Sequence, residues 1–107
     1  MRYEIVLAPE AAAAYRALPA YWRAIVRDAL ERHLRYEPTK VSKTRIKRLR
    51  GLIRPQYRLR VAEIRVFYDV TPKAVQVLTI VPKEQAEAWL RREGTPTEEG
   101  GLGQGEG

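Results

Sequence analysis

The sequence predicts an α+β domain: a small, mainly antiparallel, four-stranded sheet with an N-terminal helical hairpin and a C-terminal helix, in the order β-α-α-β-β-β-α. Three observations predict it. Apolar residues recur every three to four positions before Pro38. They recur at every second position after Pro55. A short helical pattern returns after Pro82.

The elements follow in order. Residues Arg2 to Leu7 alternate Tyr3, Ile5 and Leu7 with Arg2, Glu4 and Val6, the period of a strand. Pro9 suits the first turn of a helix and Glu10 its positive end, and the alanine run carries that helix to about Leu18. From Ala20 to Arg35, Trp22, Ile25, Val26, Ala29, Leu30 and Leu34 fall on one helical face. Pro38 stops it. The charged stretch Lys40–Leu52 reads as an irregular or partly helical connection, with Gly51 permitting a turn. Tyr57, Leu59 and Val61, then Ile64, Val66, Tyr68 and Val70, form two alternating runs joined at Ala62-Glu63, a tight hairpin. Val75 to Val81 is the last strand, buried on both faces, and Lys83 to Arg92 the last helix.

The chain has 107 residues and 20 Lys and Arg against 13 Asp and Glu, a net charge of +7. It is one domain in size. Residues 1–93 form the folded domain, and the acidic, Gly-rich segment 94–107 reads as a flexible tail. All the bases but only ten of the acids precede that tail, so the folded part carries about +10. Cys is absent and His33 is alone, which excludes disulfides, thiolate zinc sites and cysteine nucleophiles. With no long apolar stretch for a membrane span or a signal peptide, the expected compartment is the cytoplasm.

The charge is uneven. Lys40 to Arg65 holds ten bases (Lys40, Lys43, Arg45, Lys47, Arg48, Arg50, Arg54, Arg58, Arg60, Arg65) and one acid, Glu63. A two-residue turn at Ala62-Glu63 sets Arg60 opposite Arg65 and Arg58 opposite Phe67. Arg58, Arg60 and Arg65 then share the face opposite the apolar row. Forked guanidinium donors match phosphate oxygens, so this face reads as an anion site, extended along a polymer by Lys43, Arg45, Lys47, Arg48 and Arg50.

The run from Tyr57 to Val70, YRLRVAEIRVFYDV, resembles the hairpin signature of the RelE/ParE toxin superfamily. Lys47-Arg48-Leu49-Arg50-Gly51 is similar to its basic-Leu-basic-Gly lead-in, and Val77 to Lys83 to its last strand and the basic residue beyond. The resemblance covers about residues 2–92. It implies the toxin of a toxin–antitoxin pair, with an antitoxin whose acidic, partly disordered segment covers the basic face. RelE-like members cleave mRNA in the ribosomal A site, without a metal or other cofactor, by attack of the ribose 2′-hydroxyl on the adjacent phosphate. ParE-like members inhibit DNA gyrase instead. Position by position, the resemblance implies catalytic roles for Arg58, where the family carries a basic residue on the first hairpin strand, Arg65, on its phosphate-contacting arginine, and Lys83, near its basic residue after the last strand. The sequence departs from the family at Gln56, where a lysine is common, and at Trp89 or Leu90, where a tyrosine is. A gyrase inhibitor and a catalytically degenerate RNA-binding homologue therefore stand as alternatives.

Overall fold

The hairpin forms with the register that its alternation predicts. In the computed structural model, which describes residues 1–98, β4 (Tyr57–Val61) and β5 (Ile64–Val70) are antiparallel. The facing pairs are Tyr57 with Tyr68, Arg58 with Phe67, Leu59 with Val66, Arg60 with Arg65 and Val61 with Ile64. The turn lacks the glycine or asparagine that such turns favour, and Ala62 takes a positive φ of 53°. A Cβ in that region costs about 1–2 kcal/mol.

The remaining elements build outward from this pair. In chain order they are β1 (Glu4–Leu7), α1 (Pro9–Ala17), α2 (Ala20–Leu34), β2 (Ile46–Arg48) and β3 (Leu52–Arg54). After the hairpin come β6 (Ala74–Pro82), α3 (Lys83–Glu93) and β7 (Thr95–Pro96). The main sheet has the order β1-β6-β5-β4-β2. Only β1, which runs parallel to β6, departs from antiparallel pairing.

This sheet has five strands where the sequence predicts four. The extra strand, β2, lies inside the segment expected to be irregular or partly helical. Ile46 is its one buried residue, while Lys47 and Arg48 are exposed, so three residues carry too little pattern to read. Pairing with β4 supplies what propensity does not. The folded part also continues past residue 93. Thr95 and Pro96 pair with β3, and the Thr97 amide donates to the Gly51 carbonyl at 3.0 Å. Residues 99–107 of the expected tail lie outside the described residues.

One face of the sheet packs on the helical hairpin. Leu59, Val61, Ile64, Val66, Tyr68, Val75, Val77 and Ile80 meet Ala11, Val26, Leu30 and Leu34. Each fully buried aliphatic side chain contributes roughly 1.5–3 kcal/mol. Tyr57 stacks on Tyr68 with centroids 5.5 Å apart, and the buried Tyr68 hydroxyl donates to the Pro38 carbonyl at 2.6 Å. The Pro that stops α2 is thus fixed to the sheet.

The other face is only partly covered. Phe67, Leu78 and Trp89 form a smaller cluster under α3, with Leu49, Val81, Ala86 and Leu90 packed against it. The pairing of β5 with β6 skips a residue between Phe67–Thr79 and Tyr68–Val77. This bulge turns Leu78 and Thr79 together toward α3. Trp89 lies flat on Phe67, 5.3 Å between centroids and 4° between planes. Glu10 of α1 reaches around to this face, where its Oε2 accepts from the Thr79 hydroxyl at 2.5 Å and the Trp89 indole N–H at 2.7 Å.

Two measurements check these contacts. Ala62→Gly relieves the positive φ, and thermal melting is expected to rise by a few degrees. Glu10→Ala leaves the Thr79 hydroxyl, which is 0% exposed, without its acceptor. Urea denaturation is expected to show a loss of about 2 kcal/mol.

Candidate anion-binding site

Strand alternation places the cations on the partly covered face. Lys47 pairs across β2 and β4 with Arg58, whose neighbour on β5 is Phe67. Two rungs further along, on the same face, Arg60 pairs with Arg65. Opposed like charges oppose the sheet by a few tenths to ~1 kcal/mol per pair. α3 walls the other side. The result is a shallow groove of about 340 Å³ lined by Lys47, Arg58, Arg65 and Lys83 over a floor that includes Leu49 and Phe67.

Each cation has a distinct environment. Arg58 is half-buried, and its Nε is buried with no hydrogen-bond partner. Burial lowers its pKa, and the charges of Arg65 and Arg60 lower it further. A guanidinium nevertheless stays protonated near neutrality, so Arg58 is a permanent charge with a donor left over. Arg65 Nη1 donates to the carbonyls of Ala62 at 2.8 Å and Ile64 at 3.1 Å. These bonds hold the side chain against the turn while leaving its charge unneutralised. Among the described residues no carboxylate forms an ion pair with Lys47, Arg58, Arg60 or Arg65.

Lys83 differs. Its Nζ lies 3.0 Å from Glu63 Oε1, and its backbone N–H donates to the Glu63 carbonyl at 2.8 Å. The hairpin turn is thereby tied to the start of α3. The hydrogen bond and charge of Lys83 lower the Glu63 pKa, with smaller help from Arg65 and Arg60.

The other expected phosphate contacts divide. Lys47 is in the groove, and Arg60 pairs across the hairpin with Arg65, which lines it. Arg48 is not in it: alternation turns it to the other side, where its guanidinium lies 5.2 Å over the Tyr57 ring and donates to the Gln56 carbonyl at 2.7 Å. Arg45 lines a separate hollow with Arg32 and His33, and Arg50 lines a hollow under α3. Lys43 is exposed in the loop before β2. His33 has its pKa lowered by burial and by Arg45 and Arg32, which favours the neutral ring.

The departures from the family pattern also find their places. Gln56 is a structural residue: its N–H donates to Asp69 at 2.8 Å and its side-chain oxygen accepts from Val70 N–H at 2.9 Å. Trp89 is buried on Phe67, and Leu90, not Trp89, borders the groove. Glu87, one turn beyond Lys83, also lines the groove. The sequence reading did not single it out, although its spacing of four from Lys83 places both on one flank of α3. Among the described residues no three His, Asp or Glu side chains gather as a metal ion would require. No helix there is long and apolar enough to cross a membrane.

Comparison with solved structures finds the same architecture in four chains, three of them as follows. A chain of the archaeal RelE–RelB complex from Pyrococcus horikoshii OT3 superposes with a TM-score of 0.58 at 28% identity, covering 78% of this chain and 97% of that one. A chain of the toxin–antitoxin complex RelBE2 from Mycobacterium tuberculosis gives 0.60 at 21% identity, covering 77% and 99%. The RelB–RelE antitoxin–toxin complex from Methanococcus jannaschii gives 0.60 at 15%, covering 78% and 96%. No protein-family model matches the sequence, and no curated protein does.

The Lys83–Glu63 pair has a measurable consequence. A carboxylate whose folded pKa is depressed adds stability above the ordinary glutamate range and loses it as pH falls through the lowered value. A carboxyl NMR titration is expected to place Glu63 below an ordinary glutamate, and Lys83→Met to return it upward.

Proposed function

We propose that this chain, which has the fold of the RelE-like toxins, is the toxin of a toxin–antitoxin pair and acts as a ribosome-dependent mRNA endonuclease. The observation that carries the reading is the groove. Lys47, Arg58 and Arg65 converge there without carboxylate partners among the described residues, and Arg58 Nε is a buried donor with no acceptor. A phosphodiester supplies both the missing charge and the missing acceptor.

The chemistry follows from the residues present. The ribose 2′-oxygen attacks the adjacent phosphorus while the bond from phosphorus to the 5′-oxygen breaks, leaving a 2′,3′-cyclic phosphate and a 5′-hydroxyl. Charge grows on the non-bridging oxygens, and Arg58 and Arg65 face them with fixed positive charge. The 2′-hydroxyl proton passes to solvent water, which the shallow groove admits, and the leaving 5′-oxygen must receive one. A guanidinium is unsuited to accept. Lys83 is the ammonium placed to donate, since Glu63 holds it at the groove's edge. The two partners this reading implies are the ribosome carrying mRNA and an antitoxin with an acidic segment that occupies the same face.

A second reading rests on one feature. One of Trp89 and Leu90 stands where the family commonly has a tyrosine, and neither carries a hydroxyl; Leu90 borders the groove. A ParE-like gyrase inhibitor needs the cationic face but no acid–base group.

Purified protein added to ribosomes translating a defined message is expected to cut at fixed codon positions, read by primer extension. Arg65→Ala is expected to reduce the cutting roughly hundredfold. An intact message at full ribosome occupancy, with stalled gyrase–DNA complexes in a parallel assay, would replace this reading by the second.

A further inference from the structure

A second cationic space lies between the last turn of α2 and the loop that enters β2. It is a hollow of about 210 Å³ lined by Arg32, His33, Lys40, Ser42 and Arg45, with Glu37 at its side. It shares no lining residue with the groove.

The loop that forms it is fixed. The Ser42 N–H donates to the Ile46 carbonyl at 2.9 Å. The Ser42 hydroxyl oxygen accepts from the N–H of Arg45 at 2.9 Å and of Ile46 at 3.2 Å. Both lone pairs of that oxygen are then in use, so the hydroxyl has only its proton left to offer. Ile46 is buried and pairs with Leu59, which anchors the loop to the core. Arg45 is exposed, and its guanidinium has no hydrogen-bond or ion-pair partner among the described residues. His33 is half-buried beside it, with no hydrogen-bond partner on its ring among the same residues.

Charge decides what this space suits. Arg32 lies 3.3 Å from Asp28 and Lys40 lies 3.7 Å from Glu37, so two of the three fixed cations are answered by carboxylates. Arg45 is the surplus. The group therefore has one net positive charge when the His33 ring is neutral and two when it is protonated. A phosphodiester brings one negative charge. A phosphomonoester brings up to two, because its second proton leaves at about pH 6. We infer that this hollow is a second anion site, separate from the groove, and that it takes a phosphate dianion, free or as a phosphomonoester, held by Arg45, His33 and the Ser42 hydroxyl. The inference goes beyond the RNA-directed reading and does not depend on it.

The ring is the part that adjusts. The groups facing it are Arg32 and Asp28 on its own helix, Glu37 and Lys40 in the turn beyond, and Arg45 before β2. Burial lowers its pKa, Arg45 and Arg32 lower it further, and Asp28 opposes them. A dianion among these groups reverses the balance, so binding draws a proton onto His33.

His33 is the one histidine of the chain, so its ring signals in an NMR titration of the full chain are unambiguous. The Nε–H signals of Arg45 and Arg58 report the hollow and the groove separately. The probes are inorganic phosphate, uridine 5′-monophosphate, dimethyl phosphate as a singly charged diester, and sulfate as a dianion that does not titrate near neutrality. Phosphate is expected to move His33 and Arg45 and to raise the pH at which the ring titrates. Sulfate is expected to bind there roughly tenfold more tightly as pH falls through the titration of the ring. In His33→Gln that pH dependence is expected to vanish while Arg45 still responds. Arg45→Gln is expected to remove the His33 response and leave that of Arg58 intact. Uridine 5′-monophosphate matching phosphate at His33 supports a nucleotide end as the source, and a response to phosphate without the nucleotide supports the free ion. His33 and Arg45 unmoved by phosphate, the nucleotide and sulfate overturns the second site, whatever Arg58 does. Dimethyl phosphate binding as tightly as phosphate, with the ring's titration unchanged, overturns the selection for a dianion and assigns the hollow to the diester of a polymer.

Discussion

Positive charges set across hydrogen-bonded strands repel, and this sheet holds two such rungs, Lys47 with Arg58 and Arg60 with Arg65. Among the described residues no carboxylate forms an ion pair with any of the four. What holds them in place is the reverse side of the same strands, where Leu59, Val66 and Tyr68 are sealed under the helical hairpin. A strand cannot turn one residue without turning its neighbours. Burial of the apolar row therefore fixes the cations on the opposite face, at a cost of order 1 kcal/mol against several from the core. The repulsion persists because the apolar face outweighs it.

The groove is finished by parts that belong to other elements. α3 brings Lys83 and closes one side, and the turn at Ala62-Glu63 keeps Lys83 at the edge through an exposed ion pair. Exposed pairs add little stability. The value of this one is positional, since it sets an ammonium beside two guanidiniums that would otherwise drive it away. The bulge in β6 contributes by turning Leu78 and Thr79 toward α3, so that Phe67, Leu78 and Trp89 form a base on which the helix rests.

How far the sequence reveals all this depends on how much pattern each segment carries. The hairpin is legible rung by rung because ten residues alternate without a break and a two-residue turn leaves one register. That alternation also puts Arg58 and Arg65 on one face, whereas Lys83, at the start of α3, comes beside them only through the packing of that helix. β2 is not legible, since two of its three residues are charged and its third, Ile46, is a single apolar signal. β7 is not legible either: two residues, one of them a proline, are too short to carry an alternation, and the pairing with Leu52 and Arg54 makes the ladder. The Lys40–Arg50 run shows the limit of counting charge. Its residues are near in sequence, yet Lys47 enters the groove, Arg48 caps a tyrosine ring on the other side, and Arg45 turns toward His33. Glu10 carries no sequence signal beyond its place at a helix start, because its partners are about 70 and 79 residues away.

That distant carboxylate bears on when the protein becomes competent during synthesis. Glu10 is synthesised 79 residues before Trp89, so the contact between them forms only after α3 has been made. Until then the cationic strands lack their second wall and the hollow under that helix has no roof. A chain interrupted before α3 would carry the cationic strands with one wall missing, so this contact ties assembly of the groove to synthesis of that helix.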